Sequence, residues 1–125
     1  MTGIIVVTHD GLGEALRRQA ETIVGHPLEL TTIPISPGTD PDVALDEVRA
    51  AISAGADADG ALVLTDLPGA TPHNLAVRAA ATQGAPVISG LNLPMLLKVV
   101  NHAARPPGEL AGLARRGGIQ GVTEE

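Results

Sequence analysis

His9, Asp66 and the stretch "LPGATPH" at 67–73 hold most of the reactive chemistry of this chain. A histidine changes charge near neutral pH and offers two ring nitrogens, one of which a partner can fix. Taken singly, His9 is a loop residue or a cap on a backbone group, and Asp66 is a turn residue bonding its own backbone. Set against each other they acquire roles. A carboxylate on Nδ1–H fixes the tautomer, aims Nε2 outward and raises its nucleophilicity. The 67–73 stretch adds a glycine followed by a helix start, with Thr71 as the expected cap and Pro72 as the first helical residue. The backbone N–H groups of Gly69, Ala70 and Thr71, the Thr71 hydroxyl and the positive end of the helix dipole suit an oxyanion or a phosphoryl group. Alone, such a loop is an ordinary capped helix start. Beside a histidine nucleophile it points to a phosphoryl group on Nε2, with no metal required.

The other polar groups read more plainly. His73 sits one residue inside the helix as an exposed first-turn side chain. His26 lies beside Pro27 in a loop, and His102 lies near a helix C-terminus, where the dipole favours a cation. Zinc on His9, Asp66 and His73 lacks the paired His-x-x-x-His spacing, and the chain has no cysteine, so no metal site is expected. Arg115 and Arg116 are read as solvated surface. No Walker A loop or dinucleotide fingerprint occurs, so no nucleotide cofactor is expected and a phosphoryl group must come from a donor protein.

Composition narrows the classes further. Aromatic residues make up 0%, which removes the usual stacking platforms for bases and flavins. Net charge is -6 with eight scattered basic residues, so no basic stripe serves nucleic acid or an anionic membrane surface. The apolar run Ile4 to Val7 has no basic flank and is too short to span a bilayer. No membrane insertion is expected, and the absence of cysteine fits the cytoplasm.

For His9 and Asp66 to meet, two strand ends must lie side by side. Ile4 to Val7 is a β-branched run of the kind buried on both faces of a parallel sheet. A helix follows through Leu12, Leu16, Ala20 and Val24, closed by Gly25. Leu28 to Ile35 reads as a second strand, with Pro34 suited to an edge. "SPGTDPD" is the turn, Asp40 the N-cap and Pro41 the first residue of a helix that stops at Gly55. Ala61 to Thr65 is the third strand, leading to Asp66 and the third helix. Pro86 to Ser89 is a short fourth strand, "GLNLP" a turn, and Pro94 starts the fourth helix. A short fifth helix is expected from Gly108 to Arg115, with at best one brief strand in "GGIQGVTEE". The 125 residues fit a single domain.

This alternation implies an α/β fold: a doubly wound parallel sheet with right-handed crossovers and helices on both faces. Ligands of such sheets bind beyond the carboxyl ends of the strands, where the strand order reverses. With the order 2-1-3-4, His9 and Asp66 are neighbours at that reversal, and "SPG" and "GLN" lie on the same rim.

The chain resembles, nearly end to end, the enzyme IIA domain of the mannose-type sugar phosphotransferase system. The matching segments are "VVTHDGLGEAL", "PGTDPD", "LVLTDLPGATPHN" and "GLNLPML". The resemblance implies a cytoplasmic phosphocarrier, with His9 accepting a phosphoryl group from the carrier HPr and passing it to a IIB component. It implies that Asp66 orients His9 and that the Thr71 hydroxyl lies beside the phosphoryl group. It also implies a homodimer in which a C-terminal strand, here "GGIQGV", is exchanged as an antiparallel strand. Two positions depart from the family's pattern: Asp10 replaces an uncharged residue after the histidine, and Ala70 replaces the second glycine of the loop.

Other readings stay open at this level. The phosphotransfer subunit of dihydroxyacetone kinase resembles this fold and also uses a histidine after strand 1, although "GLNLPML" fits the mannose-type pattern better. A receiver-like switch would be phosphorylated on Asp66 and would need acidic residues after strand 1, where only Asp10 stands. In a ligand-binding or regulatory module, His9 would merely hydrogen-bond a small molecule.

Overall fold

The computed structural model describes residues 1–56 and 59–125. In chain order the elements are β1 (Gly3–His9), α1 (Leu12–Val24), β2 (Thr31–Ile35), α2 (Pro41–Ala56), β3 (Ala61–Thr65), α3 (Thr71–Ala81), β4 (Val87–Ile88), α4 (Leu93–Asn101) and α5 (Pro107–Gln120). The strands form one parallel sheet in the order β2-β1-β3-β4, as the sequence implies. Alternate residues of the central strands feed two cores, because successive side chains of a strand point to opposite faces. Ile4, Val6, Leu62 and Leu64 face one core with Ala20 of α1, Leu96 and Val99 of α4 and Leu110 of α5. Ile5, Val7 and Val63 face the other with Val48 and Ile52 of α2 and Leu75 and Ala76 of α3. Helices therefore cover both faces. None of the described helices is long and apolar enough to cross a membrane.

Element ends differ from expectation for local reasons. β1 runs two residues further, so His9 is its last residue rather than the first of a loop. β2 begins at Thr31 instead of Leu28. The Leu28 N–H donates to the Glu21 carboxylate at 2.8 Å and its carbonyl accepts from Arg17 at 3.1 Å. Side chains of α1 thus satisfy the backbone that a strand ladder would otherwise pair.

The C-terminus corrects a larger expectation. The "GGIQ" segment is the last turn of α5, and no strand follows it among the described residues. The glycines that argue against a helix in isolation are the residues that let α5 lie against α4. A Cβ on Gly117 would stand 2.8 Å from the Lys98 Cβ, and one on Gly118 the same distance from the Met95 Cε. One on Gly121 would collide with the Pro94 ring. Close packing outweighs the helix propensity that glycine forgoes, about 1 kcal/mol per residue. Gly117→Ala is accordingly expected to destabilise the fold by about 1 kcal/mol, because an overpacking cost of about 1–3 kcal/mol exceeds the propensity gained. Urea unfolding checks this, and a higher midpoint for the variant would contradict it.

Candidate functional site

β1 and β3 are neighbours in register, with Val7 opposite Thr65, so the residues just beyond both pairs emerge together at the carboxyl edge of the sheet. There Asp66 grips His9 at two points. One carboxylate oxygen accepts the His9 backbone N–H at 3.0 Å and the ring Nδ1–H at 2.6 Å. The other accepts the Leu67 N–H at 3.0 Å. Asp66 is 8% exposed and His9 52% exposed. Burial by itself would raise the Asp66 carboxyl. The backbone N–H of His9, the His9 ring and the Leu67 N–H outweigh it and hold the group below the usual carboxylate value. An ionised Asp66 keeps the proton on Nδ1, which leaves Nε2 as the ring nitrogen with a lone pair.

Thr8 holds the turn from below. Its hydroxyl is buried, donates to the His9 carbonyl at 2.8 Å and accepts the Gly13 N–H at 2.9 Å. It thereby supplies the start of α1 with the side-chain acceptor that Gly11, in the N-cap position, lacks. Gly13 is needed for this approach, since a Cβ there would lie 3.0 Å from Val6 and 3.1 Å from the Thr8 hydroxyl. Thr8→Val keeps the shape and leaves two backbone groups unpaired. It is expected to cost about 1–3 kcal/mol in urea unfolding, and an unchanged midpoint would refute the bridging role.

The loop before α3 is built differently from the expected cap. Ala70, in an extended conformation, is the N-cap, and Thr71 is the first helical residue with no capping bond. The first turn closes one residue early, through the Asn74 N–H to the Ala70 carbonyl at 3.0 Å. The Thr71 hydroxyl is left uncommitted among the described residues. Gly69 turns the chain at φ +82°, and its carbonyl accepts from the Asn74 side chain at 3.1 Å. The Ala70 N–H already donates to the Leu67 carbonyl at 3.3 Å, so it is less available than the N–H groups of Gly69 and Thr71.

His9 and Thr71 open on a common cavity of about 370 Å³, walled by Ile35, Leu75 and prolines and closed by Ser36 and Thr39. Gly69 and Ala70 lie outside its lining. Asp10 is exposed, and its N–H donates to the Ile35 carbonyl at 3.1 Å, tying the His9 turn to β2. His73 departs from its expected exposure: it is half-buried, with Nδ1 2.7 Å from the buried Thr65 hydroxyl. His26 and His102 bond the backbone carbonyls of Pro27 and Lys98, a structural use. Among the described residues no three His, Cys, Asp or Glu side chains are grouped to hold a metal ion.

Ser36 and Thr39 are site residues that the sequence reading does not single out; the signal for them is the pair of hydroxyl-bearing residues in the rim turn "SPGT" at 36–39.

Comparisons with known proteins agree with this fold. Residues 3–109 match the EIIA-man family, described as "PTS system fructose IIA component". The "PTS system mannose-specific EIIAB component" of Escherichia coli (strain K12) is 30% identical over 122 residues, 95% of this chain. The chain spans 38% of that relative's length. Among solved structures, a mannose/sorbose specific IIA subunit from Enterococcus faecalis superposes with a TM-score of 0.82 at 26% identity, covering 99% of this chain and 94% of that one. Phosphotransferase system component EIIA from Streptococcus agalactiae superposes with a TM-score of 0.83 at 27% identity, covering 99% and 97%. With its sheet order, its histidine at the end of β1 and a match over most of its length, the chain belongs to the EIIA-man family of phosphotransferase system IIA components.

Proposed function

We propose that this chain is a phosphocarrier that takes a phosphoryl group from phospho-HPr onto Nε2 of His9 and hands it to a IIB component. The observation that supports this most directly is the Asp66 grip on Nδ1, which leaves Nε2 uncommitted on a half-exposed ring that shares a cavity with Thr71. In the transfer the Nε2 lone pair forms a bond to phosphorus as the donor's P–N bond breaks. That electron pair returns to the donor's imidazole. The proton on Nδ1 stays between ring and carboxylate, and Asp66 offsets the positive charge that develops on the ring. The reaction needs alignment and charge stabilisation more than proton shuttling. The Thr71 hydroxyl and the free N–H groups of Gly69 and Thr71 at the start of α3 supply donors to the phosphoryl oxygens.

Leu67, beside Asp66, and Leu12, in the first turn of α1, are exposed apolar side chains near the His9 turn, which suits docking of a protein rather than a free nucleotide. We place the carrier in the cytoplasm as a homodimer, an assembly that sedimentation equilibrium checks. The deciding experiment incubates the chain with phospho-HPr and characterises the product. One acid-labile, base-stable phosphoryl group mapped to His9 is expected. A base-labile group on Asp66 would establish the receiver-like reading instead, and no incorporation would overturn phosphotransfer.

A further inference from the structure

We infer that the Ser36–Thr39 hydroxyl pair is a second contact for the phosphoryl group, opposite Thr71, and sets how strongly the chain holds it; this rests on His9 being the acceptor. The sheet puts the pair beside the ring. His9 is the register partner of Ile35 across β1 and β2, so Ser36 begins its turn one residue beyond the strand position next to His9. Asp66 of the β3 side flanks the histidine on one edge and Ser36 of the β2 side on the other. Ser36, Thr39, Thr71 and His9 all line the same cavity.

Proton counting shows what the pair offers. The Ser36 N–H donates to the Thr39 hydroxyl at 3.0 Å, and the Thr39 N–H donates to the Ser36 carbonyl at 3.0 Å, which closes the turn. The two hydroxyl oxygens are 3.0 Å apart and share one hydrogen bond. Two hydroxyls carry two protons, and that bond uses one. Whichever residue donates, the other keeps a proton with no acceptor among the described residues. A phosphoryl group is an acceptor without donors of its own when ionised, and among the described residues no Lys or Arg lines this cavity to neutralise it. Neutral hydroxyl donors on both sides, with the start of α3, are then the means by which its charge is held. Hydrogen bonds to a charged acceptor are about twice as strong as neutral ones.

The contact with the phosphoryl group exists only in the phosphorylated state and so shifts the equilibrium of transfer, whereas the Ser36 N–H bond to Thr39 is present in both states and its loss cancels from that equilibrium. The test mixes the chain with HPr and phospho-HPr at a fixed ratio and measures the phosphorylated fraction. Ser36→Ala with Thr39→Val together are expected to lower the equilibrium constant by about tenfold or more, the scale of one lost hydrogen bond to a charge. Thr39→Ser retains the hydroxyl and is expected to restore most of what the double variant loses. The imidazole resonances of His9 in the free double variant report whether the site stays formed and are expected to be unmoved. A parent-like equilibrium for the double variant, or a fall that accompanies displaced His9 resonances, overturns this inference while the His9 reading stands. Absence of phosphoryl transfer to the unaltered chain overturns both.

Discussion

With alanine at position 9, phosphoryl uptake from phospho-HPr is expected to fall to the level of a sample without carrier, while the protein still folds. The ring is 52% exposed, so its removal leaves no core void. Asp66 keeps two backbone donors, the N–H groups of residue 9 and Leu67, because neither depends on the imidazole. The stability loss is therefore expected to stay below about 2 kcal/mol, the scale of one hydrogen bond to a charged group. Rapid-quench measurement of acid-labile phosphate on His9→Ala and on the parent decides it. Comparable label on the variant would move the acceptor to another side chain.

Asp66→Asn is expected to slow transfer by up to about ten-thousandfold, the scale of the loss when the aspartate that sets a catalytic histidine's tautomer is made an amide. The reason is geometric. Asp66 accepts with both oxygens, one for His9 and one for Leu67. An asparagine has a single oxygen. If that oxygen faces His9, its NH₂ meets the Leu67 N–H, donor against donor. If the amide turns over, the NH₂ faces Nδ1 and demands the tautomer whose proton sits on Nε2, where the lone pair is needed. Either arrangement costs about 1–3 kcal/mol of stability.

The pH dependence follows from the depressed Asp66 carboxyl. Its contribution to stability is present in full above the ordinary carboxylate value of about 3.9 and is lost as the pH falls through the lower folded-state value. The variant lacks that part of the acid limb. Transfer rates within threefold of the parent would show that the carboxylate does not orient the ring.

Much of the site was legible because its strands are buried on both faces and so read as continuous apolar runs. Ile4 to Val7 and Ala61 to Thr65 stand out in the sequence, and a crossover topology brings their ends together. The rest depended on contacts that local patterns do not carry. Residues 117–121 look like a poor helix until α4 is packed against them, when the missing side chains become the condition for contact. Leu28 opens a segment that reads as a strand yet stays outside the sheet, because Glu21 and Arg17 capture its backbone from a separate element. Thr71 has the residue type of a cap, but the bond between Asn74 and Ala70 starts the helix one residue earlier. His73 reads as an exposed first-turn residue because its partner, Thr65, lies on β3 and not on its own helix. The Ser36–Thr39 pair was hidden for another reason: a hydroxyl three residues from another hydroxyl is commonplace in turns, and only the strand register sets this one beside His9.

The half-open ring also bears on time. A phosphoryl group on a ring that stands half exposed is within reach of water as well as of the next protein. On the proposed reading hydrolysis and hand-over compete, so the throughput of such a relay depends on how promptly the next protein arrives.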